Sequence, residues 1–352
     1  MYNNTPDLSK MVNDTKKSQY PGGRVFIITM VIVLFVSVYA TYKLGWASKE
    51  IDIENDKDRI ANFISPSKSK IPDILKNDSD YVMPEKEKNR LDILILGIRG
   101  DSDENAQEAG AYLTDTILVL SYDKETKKGS MVSIPRDLYV RVAKNREDKI
   151  NAVYEMGLIN GNSLTYTKNL FSQITGVYID NIVIFDFIAF KKIVDDLGGV
   201  DIKLAKPFTE NNQWGYEFNL PAGDNHLDGQ TALYYVRSRF SSSDFDRAQR
   251  QQTLMLAIKE KALSLNILTD PITIINLIGT IKNNMRTDID ILDAKSLLGL
   301  AQNVADAGSN IKRYAINTDN LVYESKIENI YILLPQGDNF ANIKSKFKEI
   351  LK

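Results

Sequence analysis

Four arginines are concentrated in a short stretch of the chain, near the predicted start of a helix. Arg247 and Arg250 fall in the first turns of this helix, which the sequence predicts from about residue 245 to residue 264. A helix N-terminus already carries unpaired N–H donors and the positive end of the macrodipole, so arginines there cost stability unless an anion binds nearby. Arg237 and Arg239 come just upstream, where we predict a strand that places both side chains on one face. The spacing favours a phosphate-binding site.

An ordinary network of surface ion pairs is the alternative explanation. Asp244 and Asp246 could pair with these arginines, and most surface ion pairs contribute little to stability. For a single arginine on the helix, this explanation is the better one. We favour anion binding because four arginines meet at one place, and because guanidinium groups match phosphate oxygens in bidentate geometry.

Length and composition fit a globular chain with one large or two ordinary domains. The 352 residues are 43% hydrophobic, which is enough to furnish a core. The 44 basic and 46 acidic side chains nearly cancel, so nothing suggests general adhesion to nucleic acid. The sequence has no cysteine, which excludes disulfides and thiol nucleophiles and suits an extracytoplasmic bacterial protein. The single histidine, His226, leaves no histidine-rich metal site.

An apolar segment near the N-terminus predicts a membrane anchor. Residues 25–42 are uncharged and mostly apolar, and residues 44–46 can complete a span of about 20 residues. A cleaved signal peptide is the alternative, but the stretch is long for a signal core and no clear small-x-small cleavage site follows. Basic side chains precede the span, whereas the segment that follows it mixes lysines with acidic residues. The positive-inside rule therefore puts the N-terminus in the cytoplasm and the rest of the chain outside.

The chain divides into four predicted parts: a cytoplasmic tail at 1–23, a transmembrane helix at 24–46, an extracytoplasmic spacer at 47–89 and a folded domain at 90–352. Apolar runs and helical spacing predict the elements of the folded domain. The strands lie at 91–97, 116–122, 129–134, 182–185, 200–204 and 329–334, and the helices at 164–174, 187–197, 245–264, 272–281 and 291–305. The alternation predicts a mixed α/β fold, with a central mixed β-sheet flanked by helices.

Arg136 is a further candidate for the site because of the proline that precedes it. Pro135 cannot donate a hydrogen bond in a sheet ladder, so it marks the exit from the strand predicted at 129–134. Side chains at a strand exit can face a ligand. A local salt bridge between Arg136 and Asp137 is the more common explanation for an isolated pair of this kind.

An ordered series of motifs resembles the signature of the LytR-CpsA-Psr family. The motifs cover about residues 90 to 265, and together they are highly specific although each is weak alone. They lie at 96–97, 114–120, 132–137, 149–154, 196–200, 227–229, 235–239 and 244–252, the last being Asp-Phe-Asp-Arg-Ala-Gln-Arg-Gln-Gln. The resemblance implies a phosphotransferase that moves a glycopolymer phosphate from an undecaprenyl-pyrophosphate carrier to peptidoglycan. The expected acceptor is the muramic-acid 6-hydroxyl.

The resemblance also assigns roles to individual side chains. The residues that it places around the phosphates as catalytic residues are Arg136, Arg237, Arg239, Arg247 and Arg250, with Gln251 in support. The chemistry agrees, because cleaving a pyrophosphate requires donors that hold the negative charge developing on the leaving phosphate. Arg99 and Asp244 are predicted to contact the substrate. Arg99 supplies the positive charge that many family members carry at the position of Leu113.

Metal binding is implied by one aspartate. Asp115 matches the acidic residue that holds Mg²⁺ or Mn²⁺ in the family, and such hard cations favour carboxylates together with substrate phosphate oxygens. A second family aspartate normally stands where this chain has Arg99. The loop that follows offers Asp101, Asp103 or Glu104 as substitutes. We therefore predict Asp115, Asp103 and Asp101 as the metal ligands.

The resemblance implies a single-pass protein of the cytoplasmic membrane, with a catalytic domain outside and with the lipid-linked glycopolymer and peptidoglycan as partners. It also implies a groove between sheet and helices for the polyprenyl chain, whose lining the sequence does not identify. Two other functions stay open. A pyrophosphatase would use water in place of the sugar hydroxyl. A non-catalytic envelope binding or regulatory protein would hold lipid phosphates without turnover, but it would not need the metal carboxylate of Asp115.

Overall fold

The structure is a computed structural model that describes residues 81–100, 110–143, 146–211, 213–240, 243–264, 285–289 and 311–352, together with Gly279 and Asn303. These residues belong to one compact unit, Arg59–Lys352. Several predictions lie outside the described residues: the membrane anchor, most of the spacer, the helices at 272–281 and 291–305 apart from the two single residues, and the side chains of Asp101 and Asp103. Within the described ranges, no helix is long and apolar enough to cross a membrane.

The described strands and helices are numbered in chain order. The strands are β1 (Arg90–Ile98), β2 (Thr114–Asp123), β3 (Gly129–Ser133), β4 (Tyr139–Ala143), β5 (Arg146–Lys149), β6 (Asn181–Phe185), β7 (Val200–Leu204), β8 (Phe208–Glu210), β9 (Phe218–Leu220), β10 (Gly223–Leu227), β11 (Met285–Thr287), β12 (Ile311–Ala315), β13 (Val322–Ile327) and β14 (Ile330–Pro335). The helices are α1 (Val153–Ile159), α2 (Ser163–Thr175), α3 (Phe187–Asp196), α4 (Gly229–Arg237), α5 (Asp244–Ser264) and α6 (Ala341–Glu349).

A mixed sheet forms the centre of the described part of the chain, with six strands in the order β11-β6-β1-β2-β3-β12. β1 is antiparallel to β2, and β2 is antiparallel to β3. β6 lies parallel to β1, and β12 lies parallel to β3. The predicted central mixed sheet flanked by helices is therefore confirmed. Because of these directions, the C-terminal ends of β1, β3, β6 and β12 and the N-terminal end of β2 all lie at one edge of the sheet.

Apolar side chains on both faces of the sheet join it to the helices. In β1, Leu94 packs into the larger core and its neighbour Ile95 packs into a smaller cluster, because successive side chains of a strand point to opposite faces. Phe171 of α2 and Phe347 of α6 lie in the larger core, and Met255 of α5 packs against the smaller cluster. Full burial of a side chain of this size stabilises the fold by roughly 1.5–3 kcal/mol.

A second core fixes the helices that carry the site. Val194 of α3, Val236 of α4 and Leu254 of α5 pack together with Val200 of β7 and Leu227 of β10. β7 and β10 pair as an antiparallel ribbon beside these helices. The end of α4 and the start of α5 are therefore positioned by buried apolar contacts that the second core supplies.

The segment that holds Arg237 is a helix, so the predicted strand at 233–239 is wrong. Asp228 caps α4 by accepting a hydrogen bond from the Thr231 backbone N–H at 2.7 Å, and the apolar side chains of α4 are buried at helical spacing. Its aromatic and β-branched composition is typical of a strand, but burial against α3 and α5 decides the outcome. Arg237 ends the helix, where a cation interacts favourably with the macrodipole.

Candidate active site

One cavity collects side chains from the edge of the sheet and from α4 and α5. β1, β2 and β3 meet at this edge, and they bring Arg99, Asp115 and Arg136 to the cavity. A bulge after Gly97 changes the register with which β1 pairs with β2, just before Arg99. Arg247 comes from the first turn of α5. We call this cavity, of about 160 Å³, the arginine cavity.

The described lining of the arginine cavity is positively charged. Its charged side chains are five arginines and one aspartate: Arg99, Arg136, Arg237, Arg239, Arg247 and Asp115. The structure thus brings together four of the five arginines predicted to be catalytic, along with Arg99, Asp115 and Gln251. This concentration of guanidinium groups in a concave site is suited to an anion with several oxygens.

Arg136 is held by carboxylates. Its Nη1 donates to Asp115 Oδ1 at 2.6 Å, and its Nε lies 3.3 Å from Asp244 Oδ2 and 3.6 Å from Asp137 Oδ2. Burial lowers the pKa of Arg136, but the three carboxylates outweigh burial and raise the pKa above its ordinary value. Nε is buried and makes no well-formed hydrogen bond to any described residue. Nε therefore faces two carboxylates without a well-formed hydrogen bond to either.

Arg247 lies in a different electrostatic environment from Arg136. Its side chain is buried, and its Nη2 lies 3.2 Å from Asp244 Oδ2. Burial lowers the pKa of Arg247, the positive charges of Arg136 and Arg239 lower it further, and Asp244 and Asp115 act in the opposite direction. The arginines thus repel one another across the cavity. A bound anion would relieve this repulsion.

Asp244 and Asp246 both take part in the local network that the sequence suggested, in different ways. Asp244 bridges Arg136 and Arg247. Asp246 instead caps α5: its Oδ2 accepts from the Ser243 backbone N–H and hydroxyl at 3.0 and 2.8 Å, and its own backbone N–H donates to Ser243 Oγ at 3.1 Å. This reciprocal cap fixes the start of the helix and with it the position of Arg247.

Arg237 and Arg239 reach the arginine cavity from the end of α4. The Arg237 guanidinium lies 3.9 Å from the centre of the Phe187 ring and 5.2 Å from the centre of the Trp214 ring. Gln213 joins the two arginines through the backbone, because its Nε2 donates to Arg237 O at 3.0 Å and its Oε1 accepts from Arg239 N at 2.7 Å. Gln213 also lines the cavity, and no motif in the sequence marks it.

The structure does not bring Arg250 into the arginine cavity. Its Nε donates to Tyr235 O at 2.9 Å, and its Nη2 donates to Ser238 O. Its guanidinium lies 4.8 Å from the centre of the Phe208 ring. Arg250 thus satisfies carbonyl groups around the C-terminal end of α4 and joins this end to α5. Its observed contacts are those of a positioning residue, and its contact with phosphate stays a prediction.

Gln251 lines the arginine cavity, as the resemblance implies, and it is tied to the sheet. Its Nε2 donates to the Thr116 hydroxyl at 2.8 Å. Thr116 lies on β2 next to Asp115, so the bond links α5 to the strand that carries the acidic residue. This contact helps to set the distance between Arg247 of α5 and Asp115 of β2.

Asp115 is the described acidic residue that could hold a cation here. No group of three or more acidic or histidine side chains that could hold a metal ion is present among the residues that the structure describes. The side chain of Asp115 is 34% exposed, and only its Oδ1 is engaged by Arg136 in the hydrogen bonds given above. Mg²⁺ needs few protein ligands when substrate phosphates supply the others, so Asp115 fits such a site. Asp101 and Asp103 lie outside the described residues.

Apolar side chains continue from the arginine cavity. Phe190, Leu233 and Val236 line it together with Met255 and Ile258 of α5. The same Met255 and Ile258 also line a second cavity of about 230 Å³ between the sheet and α5, which is almost wholly apolar among the described residues. We call this second cavity the apolar cavity. It lies between the sheet and a helix, where the resemblance implies a groove.

A third cavity, of about 310 Å³, lies on the other flank of Asp115. It is bounded by the ends of β3 and β12 and by the β13–β14 hairpin, and we call it the hairpin cavity. Glu324 of β13 and Tyr331 of β14 line it with Asp137 and Asp244. The sequence predicted a strand at 329–334 but gave no sign of its partner β13 or of these lining side chains.

The comparisons with known proteins give one family and several named relatives. The LytR_cpsA_psr family matches residues 49–349. The chain is 32% identical, over 229 residues, to the polyisoprenyl-teichoic acid–peptidoglycan teichoic acid transferase TagU of Oceanobacillus iheyensis, and the match covers 64% of this chain and 66% of that relative. It is 31% identical, over 184 residues, to the regulatory protein MsrR of Staphylococcus aureus (strain COL), and this match covers 51% of this chain and 52% of MsrR.

A solved structure has the same fold. The structure of TagT bound to LIIa-WTA superimposes with a TM-score of 0.57 and 22% sequence identity, and the match covers 82% of this chain and 99% of that chain. At this level of identity the likeness establishes the fold. It agrees with the arrangement of a mixed sheet and flanking helices described above.

Proposed function

This chain belongs to the LytR-CpsA-Psr family, and we propose that it is a membrane-anchored transferase which attaches a glycopolymer to peptidoglycan through a phosphodiester bond. The donor in this proposal is the glycopolymer on an undecaprenyl-pyrophosphate carrier. Two of the relatives are named as transferases of teichoic acid to peptidoglycan. The single observation that carries the proposal is a cavity with five arginines that shares the lining residues Met255 and Ile258 with an apolar cavity.

The two parts of the donor match these two cavities. A pyrophosphate is a compact, multiply charged anion, and the arginine cavity offers several guanidinium donors within a concave surface. A polyprenyl chain is apolar, and the apolar cavity removes it from water. The shared residues Met255 and Ile258 place the charged and apolar parts of the ligand next to each other, as a lipid pyrophosphate requires.

The proposed reaction replaces the anhydride oxygen at phosphorus by an ester oxygen. A hydroxyl oxygen of peptidoglycan forms a bond to the phosphorus next to the glycopolymer. The bond from that phosphorus to the bridging oxygen of the pyrophosphate breaks, and polyprenyl phosphate leaves with the electron pair. The hydroxyl proton is released to water. Arg136 and Arg247 hold the phosphate oxygens, and they stabilise the negative charge that grows on the leaving phosphate.

Asp115 would hold Mg²⁺ or Mn²⁺ against the same phosphates in this proposal. When bound, such a cation supplies further neutralisation of charge on the phosphate oxygens. The protein's own part is to keep the Asp115 carboxylate at the cavity, beside Arg136 and one residue before the Thr116 hydroxyl that holds Gln251. We further propose that residues 24–46 anchor the chain in the cytoplasmic membrane with the catalytic domain outside.

A reconstituted transfer assay tests the function. The full chain in detergent is mixed with a glycopolymer-linked polyprenyl pyrophosphate and with isolated cell-wall sacculi, and both wall-bound polymer and released polyprenyl phosphate are measured. Transfer predicts equal amounts of the two products. Release of polyprenyl phosphate without wall-bound polymer would instead establish a pyrophosphatase, and lipid binding with neither product would establish a non-catalytic binding protein.

A further inference from the structure

We propose that the hairpin cavity is the subsite for the acceptor glycan, with Tyr331 and Glu324 as the side chains that bind and select it. The proposal rests on the transfer reaction proposed above and adds the place where the second substrate binds. Both side chains belong to the β13–β14 hairpin, which lies outside the motifs of the sequence and which the donor cavities do not use.

The hairpin cavity and the arginine cavity share one wall. Asp115, Arg136, Arg247 and Gln251 line both of them. The strand order sets the two cavities on opposite sides of this wall: the arginine cavity also contacts Phe185 at the end of β6, whereas the hairpin cavity contacts residues after β3 and β12. Phosphoryl transfer requires the attacking and leaving oxygens roughly in line. When the lipid pyrophosphate occupies the arginine cavity, the attacking hydroxyl must therefore approach from the hairpin cavity.

The charge of the hairpin cavity excludes a second phosphate site. Its described charged side chains are four carboxylates and two arginines: Asp115, Asp137, Asp244, Glu324, Arg136 and Arg247. Both arginines belong to the shared wall, and the remaining charged side chains are all carboxylates. Lys149 pairs with Asp137 at 2.6 Å, so Asp244 and Glu324 are the carboxylates that make this surface acidic and repel phosphate. Carboxylates accept hydrogen bonds from hydroxyl groups, and a sugar presents several such donors. A glycan without phosphate is therefore the ligand class that fits.

Tyr331 supplies the complementary donor and an apolar surface. Its hydroxyl lies 3.3 Å from Glu324 Oε1. Burial raises the pKa of Tyr331, and the negative charges of Glu324, Asp137 and Asp244 raise it further, to about 12, so that the hydroxyl stays protonated. The residue is nevertheless 38% exposed, and it lines the hairpin cavity. The hydroxyl has one proton, which it donates to Glu324 at 3.3 Å, so it binds a sugar oxygen by exchanging this long bond for a new one. The exposed ring can pack against the sugar's apolar face.

The β13–β14 hairpin is bonded to the segment that follows Arg136, and these contacts fix its position. Leu333 N donates to Asp137 O at 2.9 Å, and Leu333 also forms a bridge with Leu138. Leu333 is buried and lines the hairpin cavity. Tyr331 is two residues away on β14 and thus shares its face. Asp137, which follows Arg136, therefore helps to set the position of the Tyr331 side chain.

Acceptor kinetics of hairpin variants test this assignment. Tyr331→Phe, Tyr331→Ala and Glu324→Gln are compared with Tyr323→Phe, a control on β13 whose hydroxyl bonds Asp338. Loss of one hydrogen bond predicts a rise of roughly 3- to 10-fold in the KM for a soluble peptidoglycan glycan fragment, with a larger rise for Tyr331→Ala. The dissociation constant for polyprenyl pyrophosphate and the melting temperature should stay at the wild-type values, and Tyr323→Phe should be unchanged throughout.

Two results would overturn the assignment. One is an unchanged acceptor KM in both Tyr331→Ala and Glu324→Gln, and the other is an equal loss of affinity for the lipid. Failure of the transfer reaction itself is distinguished by titrating the glycan fragment into isotope-labelled wild-type protein without donor. Chemical-shift changes at Tyr331 and Glu324 that are absent in Tyr331→Ala support the acceptor site even if the protein catalyses no transfer. Changes confined to other parts of the chain exclude it.

Discussion

Arg136 Nη1 lies 2.6 Å from Asp115 Oδ1, and this ion pair stands on the wall that the arginine cavity and the hairpin cavity share. Neither partner is enclosed, because the side chains of Arg136 and Asp115 are 21% and 34% exposed. The pair therefore holds two opposite charges in place without surrounding them with protein. We infer that phosphate oxygens can approach the guanidinium group while a cation approaches the carboxylate.

We expect Arg247→Ala to weaken binding of polyprenyl pyrophosphate by at least about tenfold, because a hydrogen bond to a charged group contributes roughly 1.5–3 kcal/mol. Folding should survive, since burial and the neighbouring arginines already disfavour the charged side chain and lower the pKa of Arg247. Titration calorimetry in detergent measures the affinity. Arg313→Ala is the matched control, because Arg313 is exposed on β12 and bonds the Thr253 hydroxyl. Equal affinity of wild type and Arg247→Ala would remove Arg247 from the site.

Arg250→Ala should lower stability more than it lowers affinity. Its guanidinium satisfies the carbonyl groups of Tyr235 and Ser238 in a buried place, so truncation leaves both without this donor. We expect a loss of about 2–4 kcal/mol in the free energy of unfolding. Urea denaturation of the two alanine variants, at positions 247 and 250, compares them directly. The assignment of Arg250 as a positioning residue fails if its variant unfolds like wild type but no longer binds the lipid.

The contrast between Arg247 and Arg250 also marks the limit of what the sequence predicts about the site. Both arginines were placed in the first turns of one helix, and this was correct. Three residues along a helix differ by about 60° in direction, so packing decides which side chain faces a cavity. Here α4 lies beside α5, and Arg250 donates to carbonyl groups at the C-terminal end of α4. That contact depends on α4 being a helix, which its strand-like composition concealed.

Elements of the fold were predicted where burial leaves a clear local pattern. β1, β2 and β3 carry apolar runs, and α2 and α3 carry helical spacing, so the sequence located all of them. β13 alternates polar and half-buried side chains at the surface, and only its pairing with β14 makes it a strand. The hairpin cavity arises from contacts of β14 with the segment after Arg136, nearly two hundred residues earlier in the chain. No local pattern records such a contact.

The cap of α5 should make stability depend on pH. Hydrogen bonds from the Ser243 side chain and backbone lower the pKa of Asp246, so this carboxylate stabilises the fold above its unfolded pKa of about 3.8, and the contribution is lost as pH falls through the folded value. Asp246→Asn should therefore be less stable than wild type at pH 7, and the difference should shrink below pH ~4. Ser243→Ala should cost about 0.5–2 kcal/mol at neutral pH. Thermal melts across this pH range measure both, and a difference that grows on acidification would contradict the cap.

Topology follows from the predicted anchor and can be tested in cells. We expect protease added to intact, wall-stripped cells to digest the C-terminal domain, because basic side chains precede the apolar segment at 25–42 and acidic side chains enter after it. An antibody against the last residues of the chain detects the cleavage. A cytoplasmic marker protein must stay intact in the same sample. Protection of the domain until the cells are lysed would reverse the proposed orientation.

Asp115→Asn should abolish transfer while leaving part of the lipid affinity. The arginines of the cavity can hold the phosphates in the ground state, whereas a cation on Asp115 neutralises charge that grows as the bond breaks, which is a contribution to rate. An amide keeps the size of the side chain but removes the negative charge that the cation requires. The amide oxygen can still accept a hydrogen bond from Arg136, so this arginine stays in place to hold phosphate.

Chelation separates the loss of the cation from the loss of the ion pair. Excess chelator should reduce wild-type transfer to the level of Asp115→Asn, and added Mg²⁺ or Mn²⁺ should restore wild type but not the variant. Asp123→Asn is the control, because Asp123 lies at the far end of the same strand. In the hydrogen bonds described for its side chain, Asp123 accepts from the backbone N–H groups of Glu125 and Thr126 in its own turn. Full transfer by wild type in excess chelator, or by Asp115→Asn, would show that the reaction proceeds without the cation and that the arginines alone stabilise the leaving phosphate.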